Sequence, residues 1–269
     1  MSNIPIALTI AGSDSGGGAG IQADLKSFSA NHVYGSSVIT ALTAQNTRGV
    51  TGVYNVPPMF IAAQMDAVYS DLDVAAVKIG MLSQTPVIEA VAEGLKKHVA
   101  KNIVLDPVMV ATSGDPLLAE GAVAAIRNTL MQLADLITPN LHEAAKLTGK
   151  PLAADEAAMI EQARMMIDHG AKAVLIKGGH AGAQESADLL VCEETEAWFR
   201  VARIDTKNTH GTGCSLSSAI AANLASGFDL ESAVGKAKKW LTGAIATSDQ
   251  LDVGNGSGPV HHFYRLWSN

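Results

Sequence analysis

The chain has 269 residues, of which 48% are hydrophobic and 25 are glycine, and this composition excludes an intrinsically disordered protein. Its formal charge is −7 and no cluster of lysine and arginine is present, so no nucleic-acid partner is expected. Anions must therefore be bound locally, by backbone amides, by a metal ion or by a few lysines.

The first apolar run and the two cysteines indicate the cellular location of the protein. Residues 6–10 form a short apolar run without a basic segment before it, which predicts a buried strand and not a signal peptide. No apolar run reaches the roughly 18–20 residues that a membrane span needs, so no membrane partner is expected. The two cysteines, Cys192 and Cys214, cannot build a disulfide framework, and a cytoplasmic location is expected.

Apolar runs typical of strands alternate with helical patterns, which predicts an α/β fold with a doubly wound, mostly parallel sheet between two layers of helices. The predicted strands are 6–10, 37–42, 75–79, 103–105, 136–138, 173–176, 187–192 and 196–204. The predicted helices are 19–30, 58–70, 85–98, 120–130, 141–147, 156–169, 214–226 and 230–251. The last two strands are consecutive, which indicates an antiparallel edge. No linker divides the chain, so residues 1–269 are predicted to form a single domain.

A glycine-rich segment at residues 11–20 follows the first strand and opens a helix. The pattern GAGIQA at 18–23 matches a relaxed dinucleotide-binding fingerprint, which expects an acidic residue about 20 positions later to hold a ribose. After Asp24 the next acidic residue is Asp66, so the dinucleotide interpretation loses most of its support. Two interpretations stay open: a flexible turn without a ligand, or a backbone lying against a small flat ligand, with Asp24 aimed into the pocket.

Polar residues that follow the strands are candidate site residues, because ligands of such sheets bind beyond the carboxyl ends of the strands. Gln45 carries an amide that can read the edge of an amine-bearing heteroaromatic ring, or it is a solvated turn residue. Asp106 lies at a frequent metal-binding or catalytic position, or it serves as a cap. Asn140 and Glu143 share one face of a helix start, where Glu143 either caps the helix or binds the outer shell of a hydrated Mg²⁺.

The strongest candidate for an anion site is the helix start at residues 211–214. Its glycines expose successive backbone N–H groups at the positive end of a helix dipole. Lys177 ends a buried strand, which also suggests an anionic ligand. Cys214 lies in the first helical turn, where the pKa of a thiol is usually lowered. The alternative is a glycine cap followed by a small buried cysteine.

These segments together resemble the ribokinase superfamily, and within it the hydroxymethylpyrimidine kinase / hydroxymethylpyrimidine phosphate kinase family of thiamine biosynthesis. The motifs that carry the resemblance are LTIAGSD (8–14), GGAGIQAD (17–24), VITAL (38–42), AQNT (44–47), KIGML (78–82), LDPVM (105–109), ITPNLHEA (137–144), KGGH (177–180), KNTHGTGC (207–214) and GPVHH (258–262). They span essentially the whole chain and are specific in this order. The resemblance implies a ribokinase-like fold and a cytoplasmic homodimer. It also implies ATP- and Mg²⁺-dependent phosphorylation of 4-amino-5-hydroxymethyl-2-methylpyrimidine to its monophosphate and then its diphosphate.

The resemblance also implies roles for single residues. The residues implied to bind the substrate are Gln45, which would read the aminopyrimidine, and Asp24, Gly12, Ala19, Met81 and Val108, which would face or line the pocket. The residues implied to serve Mg²⁺ are Asp106 and Glu143. The residues implied to hold ATP are Asn140, Lys177, Thr209, Thr212 and Lys238. The residues implied to act in catalysis are Lys177, Gly211, Gly213 and Cys214.

Cys214 departs from many sugar kinases of the superfamily, which have an aspartate there as general base. Phosphoryl transfer relies mainly on positioning and charge stabilisation. In the second step the acceptor is already a phosphate oxyanion, so we hypothesise that a weak base suffices and that a carboxylate would repel that phosphate.

Pyridoxal or pyridoxine kinase is the closest alternative activity. Cysteine-containing pyridoxal kinases carry a second cysteine after the LDPVM motif, where this chain has VATSGD at 110–115. That difference and the presence of Gln45 favour the pyrimidine, with pyridoxal as a side activity. A dinucleotide-dependent oxidoreductase and a catalytically inactive nucleotide sensor are the rivals from other classes. A mobile lid is expected within residues 110–118, from their glycine and proline content.

Overall fold

The structure is a computed structural model that describes residues 4–109, 121–178, 184–193 and 195–267. The strands in this part of the chain are β1 (Ile6–Ser13), β2 (Tyr34–Asn46), β3 (Gly49–Asn55), β4 (Val74–Ile79), β5 (Ile103–Leu105), β6 (Leu136–Ile137), β7 (Ala173–Lys177), β8 (Glu185–Cys192) and β9 (Thr195–Ala202). They form one sheet in the order β3-β2-β1-β4-β5-β6-β7-β8-β9. The six central strands, from β2 to β7 in this order, pair in parallel. The strands β3, β8 and β9 are antiparallel to their neighbours at the two edges.

The helices lie on both faces of the sheet. They are α1 (Gly20–Ala30), α2 (Pro58–Tyr69), α3 (Thr85–Lys97), α4 (Ala122–Ala125), α5 (Leu141–Thr148), α6 (Glu156–Asp168), α7 (Thr212–Ala225) and α8 (Leu230–Ala246). A π-helical turn, Ile126–Leu130, continues α4, and a 3-10 turn, Ser248–Gln250, follows α8.

Two apolar cores, one on each face, hold the three layers together. Leu8 and Ile10 of β1 belong to the core formed with α2, α3, α5 and α6. Ala7 belongs to the core that contains Phe28 of α1 and Trp240 of α8. Because both faces are covered, the central strands are continuous apolar runs, as in other parallel sheets. The predicted three-layer α/β fold is confirmed.

Several elements differ from the sequence prediction. The strands predicted at 6–10 and 37–42 extend to Ile6–Ser13 and Tyr34–Asn46, so Gln45 lies within β2 and not after it. The strand β3 was not predicted, because its side chains are mostly exposed and it is held by backbone pairing with β2. The helix predicted at 120–130 is a short α-helix that widens into a π-helical turn, and residue 120 lies outside the described residues. The last predicted helix ends at Ala246, because the chain turns at residues 247–251, where Asp249 accepts hydrogen bonds from Thr206 and Asn208.

Across the described residues, no helix is both long enough and apolar enough to cross a membrane. The segment expected to form a lid, residues 110–118, lies outside the described residues.

Candidate active site

A cavity of about 890 Å³ opens at the carboxyl ends of the parallel strands. All but one of the residues implied by the resemblance line it. These are Gly12, Ala19, Gln45, Met81, Asp106, Val108, Asn140, Glu143, Lys177, Thr209, Gly211, Thr212, Gly213, Cys214 and Lys238. The fold thus brings together residues from the ends of the parallel strands and from the start of α7.

Asp24 is the exception, since it does not line the cavity and is fully buried. Both of its carboxylate oxygens accept hydrogen bonds from Lys78 Nζ, at 2.8 and 2.9 Å. The Thr9 and Ser218 hydroxyl groups donate to the same carboxylate at 2.6 and 2.7 Å. The expectation that Asp24 faces the pocket is therefore corrected: it lies behind Lys78, and it is Lys78 that borders the cavity.

The start of α7 presents backbone amides to the cavity. Gly211 is its N-cap, with φ of 77°, a left-handed conformation that favours glycine. A Cβ there would also overlap the carbonyl oxygen of Gly18, so the turn tolerates no side chain. A Cβ built on Gly213 would lie 3.2 Å from Lys177 Nζ, which places the lysine ammonium beside the turn. The helix dipole and this lysine both favour an anion at this point.

Asp106 and Lys177 form an ion pair beneath that turn. Asp106 is buried, and its Oδ1 lies 2.8 Å from Lys177 Nζ. Thr138 and Ser217 hydroxyl groups also donate to its oxygens, each at 3.3 Å. Burial alone would raise the pKa of Asp106, but the charges of Lys177 and Lys78 hold it below its usual value. Burial opposes the charge of Lys177, yet the neighbouring carboxylates raise its pKa, so both partners are ionised at neutral pH.

Glu143 is a helix cap as well as a cavity residue. Its Oε2 accepts from the Asn140 backbone N–H at 2.8 Å, and its own N–H donates to Asn140 Oδ1 at 2.9 Å. This reciprocal pair is a capping box, the first alternative offered by the sequence. Burial raises the pKa of Glu143 to about 7, with repulsion by Asp106 adding to it and Lys177 opposing it. The buried carboxyl also borders the cavity, so capping does not remove it from the site.

Cys214 lines the cavity in the first turn of α7. The expectation that its thiol pKa is lowered there is wrong. Burial raises the pKa of its thiol to about 11, the Lys78 charge opposes this rise, and the Asp24 and Asp106 carboxylates add to it. The position at a helix start does not compensate for these effects. At neutral pH the side chain is therefore a neutral thiol.

Lys238 reaches the cavity from α8 as one half of a buried pair. Its Nζ lies 2.6 Å from Asp188 Oδ2 and 3.0 Å from Ser186 Oγ. Asp188 Oδ1 accepts in turn from the Gly178 backbone N–H at 3.1 Å. The lysine is thus held in place at the edge of the cavity by a carboxylate on β8.

Several residues that border the cavity had no role assigned from the sequence, among them Asp14, Lys78 and His210. Asp14 and His210 lie in motifs that were recognised, but their contact spans 196 residues of sequence, and no local pattern shows it. Lys78 is the next-to-last residue of β4, close to the position that Lys177 has at the end of β7, and that position was the available signal.

The fold places this chain among ribokinase-like kinases of small molecules. It superimposes on an ADP complex of Bacillus subtilis pyridoxal kinase with a TM-score of 0.90 at 38% identity, covering 98% of this chain and 100% of that one. It also matches a phosphomethylpyrimidine kinase of Clostridium difficile with a TM-score of 0.80 at 43% identity, over 90% of this chain and 100% of the other.

The sequence comparison identifies the family within that class. Residues 14–261 match the model of the phosphomethylpyrimidine kinase family. A hydroxymethylpyrimidine/phosphomethylpyrimidine kinase of Rhizobium meliloti is 58% identical over 264 residues, which cover 98% of this chain and 99% of that protein. The chain belongs to the phosphomethylpyrimidine kinase family, and the resemblance drawn from its motifs is confirmed.

Proposed function

We propose that this protein transfers the γ-phosphoryl group of ATP to the hydroxymethyl oxygen of 4-amino-5-hydroxymethyl-2-methylpyrimidine, and then to the resulting monophosphate, in thiamine diphosphate biosynthesis. The observation that carries the proposal is that the residues proposed to bind the ring and those proposed to bind phosphate line one cavity. Gln45, Met81 and Val108 line it together with Lys177 and the 211–214 turn. We assign the first group to the ring end of the site and the second to its phosphate end, so that the two ligands are adjacent, as transfer between two bound molecules requires.

At the ring end, Gln45 supplies the polar recognition. The Thr43 hydroxyl donates to the Ser13 carbonyl oxygen at 2.8 Å and also lies 3.1 Å from Gln45 Oε1, a shared hydrogen bond that helps to orient the amide. An amide held in this way offers N–H donors and a remaining lone pair to the edge of an aminopyrimidine. Gly12, Ala19, Met81 and Val108 supply the apolar surface around a flat ring.

At the phosphate end, the amides of 211–214 and the ammonium of Lys177 stabilise the charge that spreads over the transferred group. Asn140, Thr209 and Thr212 add polar groups beside them, and Lys238 supports the nucleotide at the edge of the cavity. Because the Cys214 thiol is neutral, it adds no negative charge where a phosphorylated acceptor must bind. The site thus relies on positioning and charge stabilisation, not on a strong base.

Asp106 and Glu143 fit a hydrated Mg²⁺ that arrives with the nucleotide. Mg²⁺ keeps several waters and binds through one or two carboxylates plus substrate phosphates. Both carboxyl groups are buried and border the cavity beside Lys177. Within the described ranges, no cluster of three or more His, Cys, Asp or Glu side chains is arranged to hold a metal. When bound, Mg²⁺ would neutralise part of the charge on the phosphates.

The decisive experiment is incubation with ATP, Mg²⁺ and the hydroxymethylpyrimidine, with the products resolved by mass. We expect the monophosphate to appear first and the diphosphate to follow. The Lys177→Met variant is the negative control, since it removes a cation from the phosphate site. Formation of the monophosphate alone, or faster turnover of pyridoxal than of the pyrimidine, would contradict the proposal.

The hypothesis about Cys214 has its own test. Replacing the thiol by a carboxylate in Cys214→Asp places a negative charge near Asp106 and the acceptor phosphate. We expect turnover of the monophosphate to fall at least about tenfold, because like charges repel in a poorly solvated site. Cys214→Ser, which stays neutral, should lose much less. Equal or better turnover of the monophosphate by Cys214→Asp would show that the hypothesis is wrong.

Pyridoxal kinase remains a second candidate, as a side activity. The observation that favours it is the close structural match to a pyridoxal kinase. Both substrates are flat nitrogen heterocycles with a hydroxymethyl group, so the ring pocket can accept either one. Competition between the two substrates at equal concentration, followed by mass, measures the preference.

A cytoplasmic homodimer is part of the proposal. Exposed large apolar side chains on the β2–β3 edge and at the start of α2 support self-association. They are Leu42, Val53, Tyr54, Met59 and Phe60, and Met59 is 81% exposed. Apolar side chains that are exposed in the single chain are often covered at an interface. Light scattering of the purified protein and of a Met59→Lys variant measures the oligomeric state.

A further inference from the structure

Two glycine-containing segments from opposite ends of the chain meet at the cavity. The loop after β1 and the turn that begins α7 both line it. A Cβ on Gly18 would overlap the imidazole of His210, and one on Gly211 would overlap the carbonyl oxygen of Gly18. The two segments are therefore in direct contact.

Asp14 lies at this junction and organises the first loop. It is 2% exposed. Its Oδ1 accepts from the Gly16 N–H at 2.8 Å, and its Oδ2 accepts from the Gly18 and Ala19 N–H groups at 3.0 and 2.8 Å. The same Oδ2 lies 2.9 Å from Nε2 of His210. One carboxylate thus shapes the loop and joins it to the other segment.

His210 is the partner of Asp14 in the second segment, the turn that begins α7. It is 8% exposed and immediately precedes Gly211, the N-cap of α7. Its backbone N–H donates to the Gly258 carbonyl oxygen at 3.0 Å, so the C-terminal segment also supports it. A backbone shift at His210 is therefore transmitted directly to the amides that begin α7.

The Asp14–His210 contact also determines whether the His210 nitrogen near Gln45 is a hydrogen-bond donor or an acceptor. Burial would raise the pKa of Asp14, but the bonds from His210 and from the Ala19 and Gly16 amides keep it below its usual value. The carboxylate is ionised, so His210 Nε2 carries the proton that it donates to Asp14. That nitrogen lies 3.5 Å from Gln45 Nε2 and cannot accept from it. The Gln45 amide N–H groups are thus not bound by this nitrogen.

We propose that Asp14 and His210 are positioning residues which clamp the ring-binding loop to the phosphate-binding turn and so set the separation of acceptor and donor. The inference rests on the proposed kinase reaction. Neither residue needs to touch the reacting atoms. A loosened clamp should leave both ligands bound but misaligned, and a misplacement of about 1 Å can lower a rate about a hundredfold.

The test is steady-state kinetics of four variants with the hydroxymethylpyrimidine and ATP: His210→Phe, His210→Gln, Asp14→Asn and the double variant of Asp14→Asn with His210→Phe. His210→Phe keeps a ring but removes the donor, and we expect kcat to fall at least about tenfold while both KM values change less than about threefold. His210→Gln places an N–H near the position of Nε2 and should restore kcat to within about threefold of the wild type. Because the two residues act as one unit, Asp14→Asn combined with His210→Phe should be no worse than the poorer single variant.

A matched control is present on the surface, where His98 Nε2 lies 2.7 Å from Asp66 Oδ1 on α2. His98→Phe removes a histidine–aspartate pair that does not border the cavity, and kcat should not change. Wild-type kcat in His210→Phe, or additive losses in the double variant, would overturn the inference. Loss of thermal stability with unchanged kcat would overturn it as well, because it would show a purely structural pair. An inactive wild type would instead refute the proposed function.

Discussion

His262 is a buried histidine that should make the stability of this protein depend on pH. It is 4% exposed, and its Nε2 lies 2.9 Å from Ser215 Oγ. The Ser215 hydroxyl donates to the Gly211 carbonyl oxygen at 2.8 Å, so the imidazole N–H donates to Ser215. Burial, and then the positive charges of Lys26 and His261, lower the pKa of His262 from 6.5 to about 3. The folded protein therefore keeps the ring neutral at pH values where the unfolded chain protonates it.

The sign and size of the effect follow from this difference. Below about pH 6.5 the unfolded chain binds a proton at His262 that the folded protein does not bind until about pH 3, so acid favours unfolding. The free energy of unfolding should fall by about 1.4 kcal/mol for each pH unit within this window. From pH 7.5 to pH 5.0 the loss due to His262 alone comes to about 2 kcal/mol.

Urea unfolding of the wild type and of His262→Gln at pH 7.5, 6.0 and 5.0 measures this loss. The glutamine keeps an N–H for Ser215 but binds no proton. Its free energy of unfolding should therefore fall by about 2 kcal/mol less than that of the wild type between pH 7.5 and pH 5.0. His169→Gln, at an exposed histidine, is the control and should follow the wild type. The same pH dependence in His262→Gln and in the wild type would refute the reasoning.

Two further predictions concern the turn at α7 and the pair behind the cavity. Gly211→Ala should lower kcat/KM at least about tenfold, because the added Cβ displaces Gly18. Gly227→Ala is the control: it has the same left-handed backbone strain, but no atom lies near the added Cβ, so its kcat/KM should stay near that of the wild type. Lys78→Met should reduce the free energy of unfolding by about 3–5 kcal/mol, since it leaves the buried Asp24 carboxylate unpaired. Lys78→Met with Asp24→Asn should regain part of that loss in urea unfolding, and additive losses would contradict this.

Most of the fold could be predicted because burial shapes the sequence. The strands β1, β4 and β7 are covered on both faces, so their apolar runs stand out. The strand β3 could not be found in this way, since its stability comes from backbone hydrogen bonds to β2 and its side chains face solvent. The π-helical turn at Ile126–Leu130 has no distinct pattern of apolar residues.

The candidate site could be predicted where residues lie near the carboxyl end of a strand or begin a helix, because topology brings those positions to one edge of the sheet. Gln45 near the end of β2, Asp106 after β5 and Lys177 at the end of β7 are examples, and all three line the cavity. What the sequence could not show is which charges meet across the fold. Asp24 was expected in the pocket because its pairing with Lys78, across 54 residues, is invisible locally. The pKa of Cys214 was predicted in the wrong direction, because its largest cause is burial, which a local sequence pattern does not show.

The net charge of −7 limits how this cavity can hold phosphates. Three of the four lysines that border it are each paired with a buried aspartate, so these three bring little net positive charge. Of the three, Lys78 has no exposed side-chain surface and Lys238 has 9%, whereas Lys177 has 14% and lies beside the 211–214 turn. In the proposed site, backbone amides and the helix dipole therefore add to the attraction that the lysines exert on a phosphate, and Lys177 is the best placed of the three paired lysines. Local donors of this kind allow an acidic protein to hold a small anion without a basic surface.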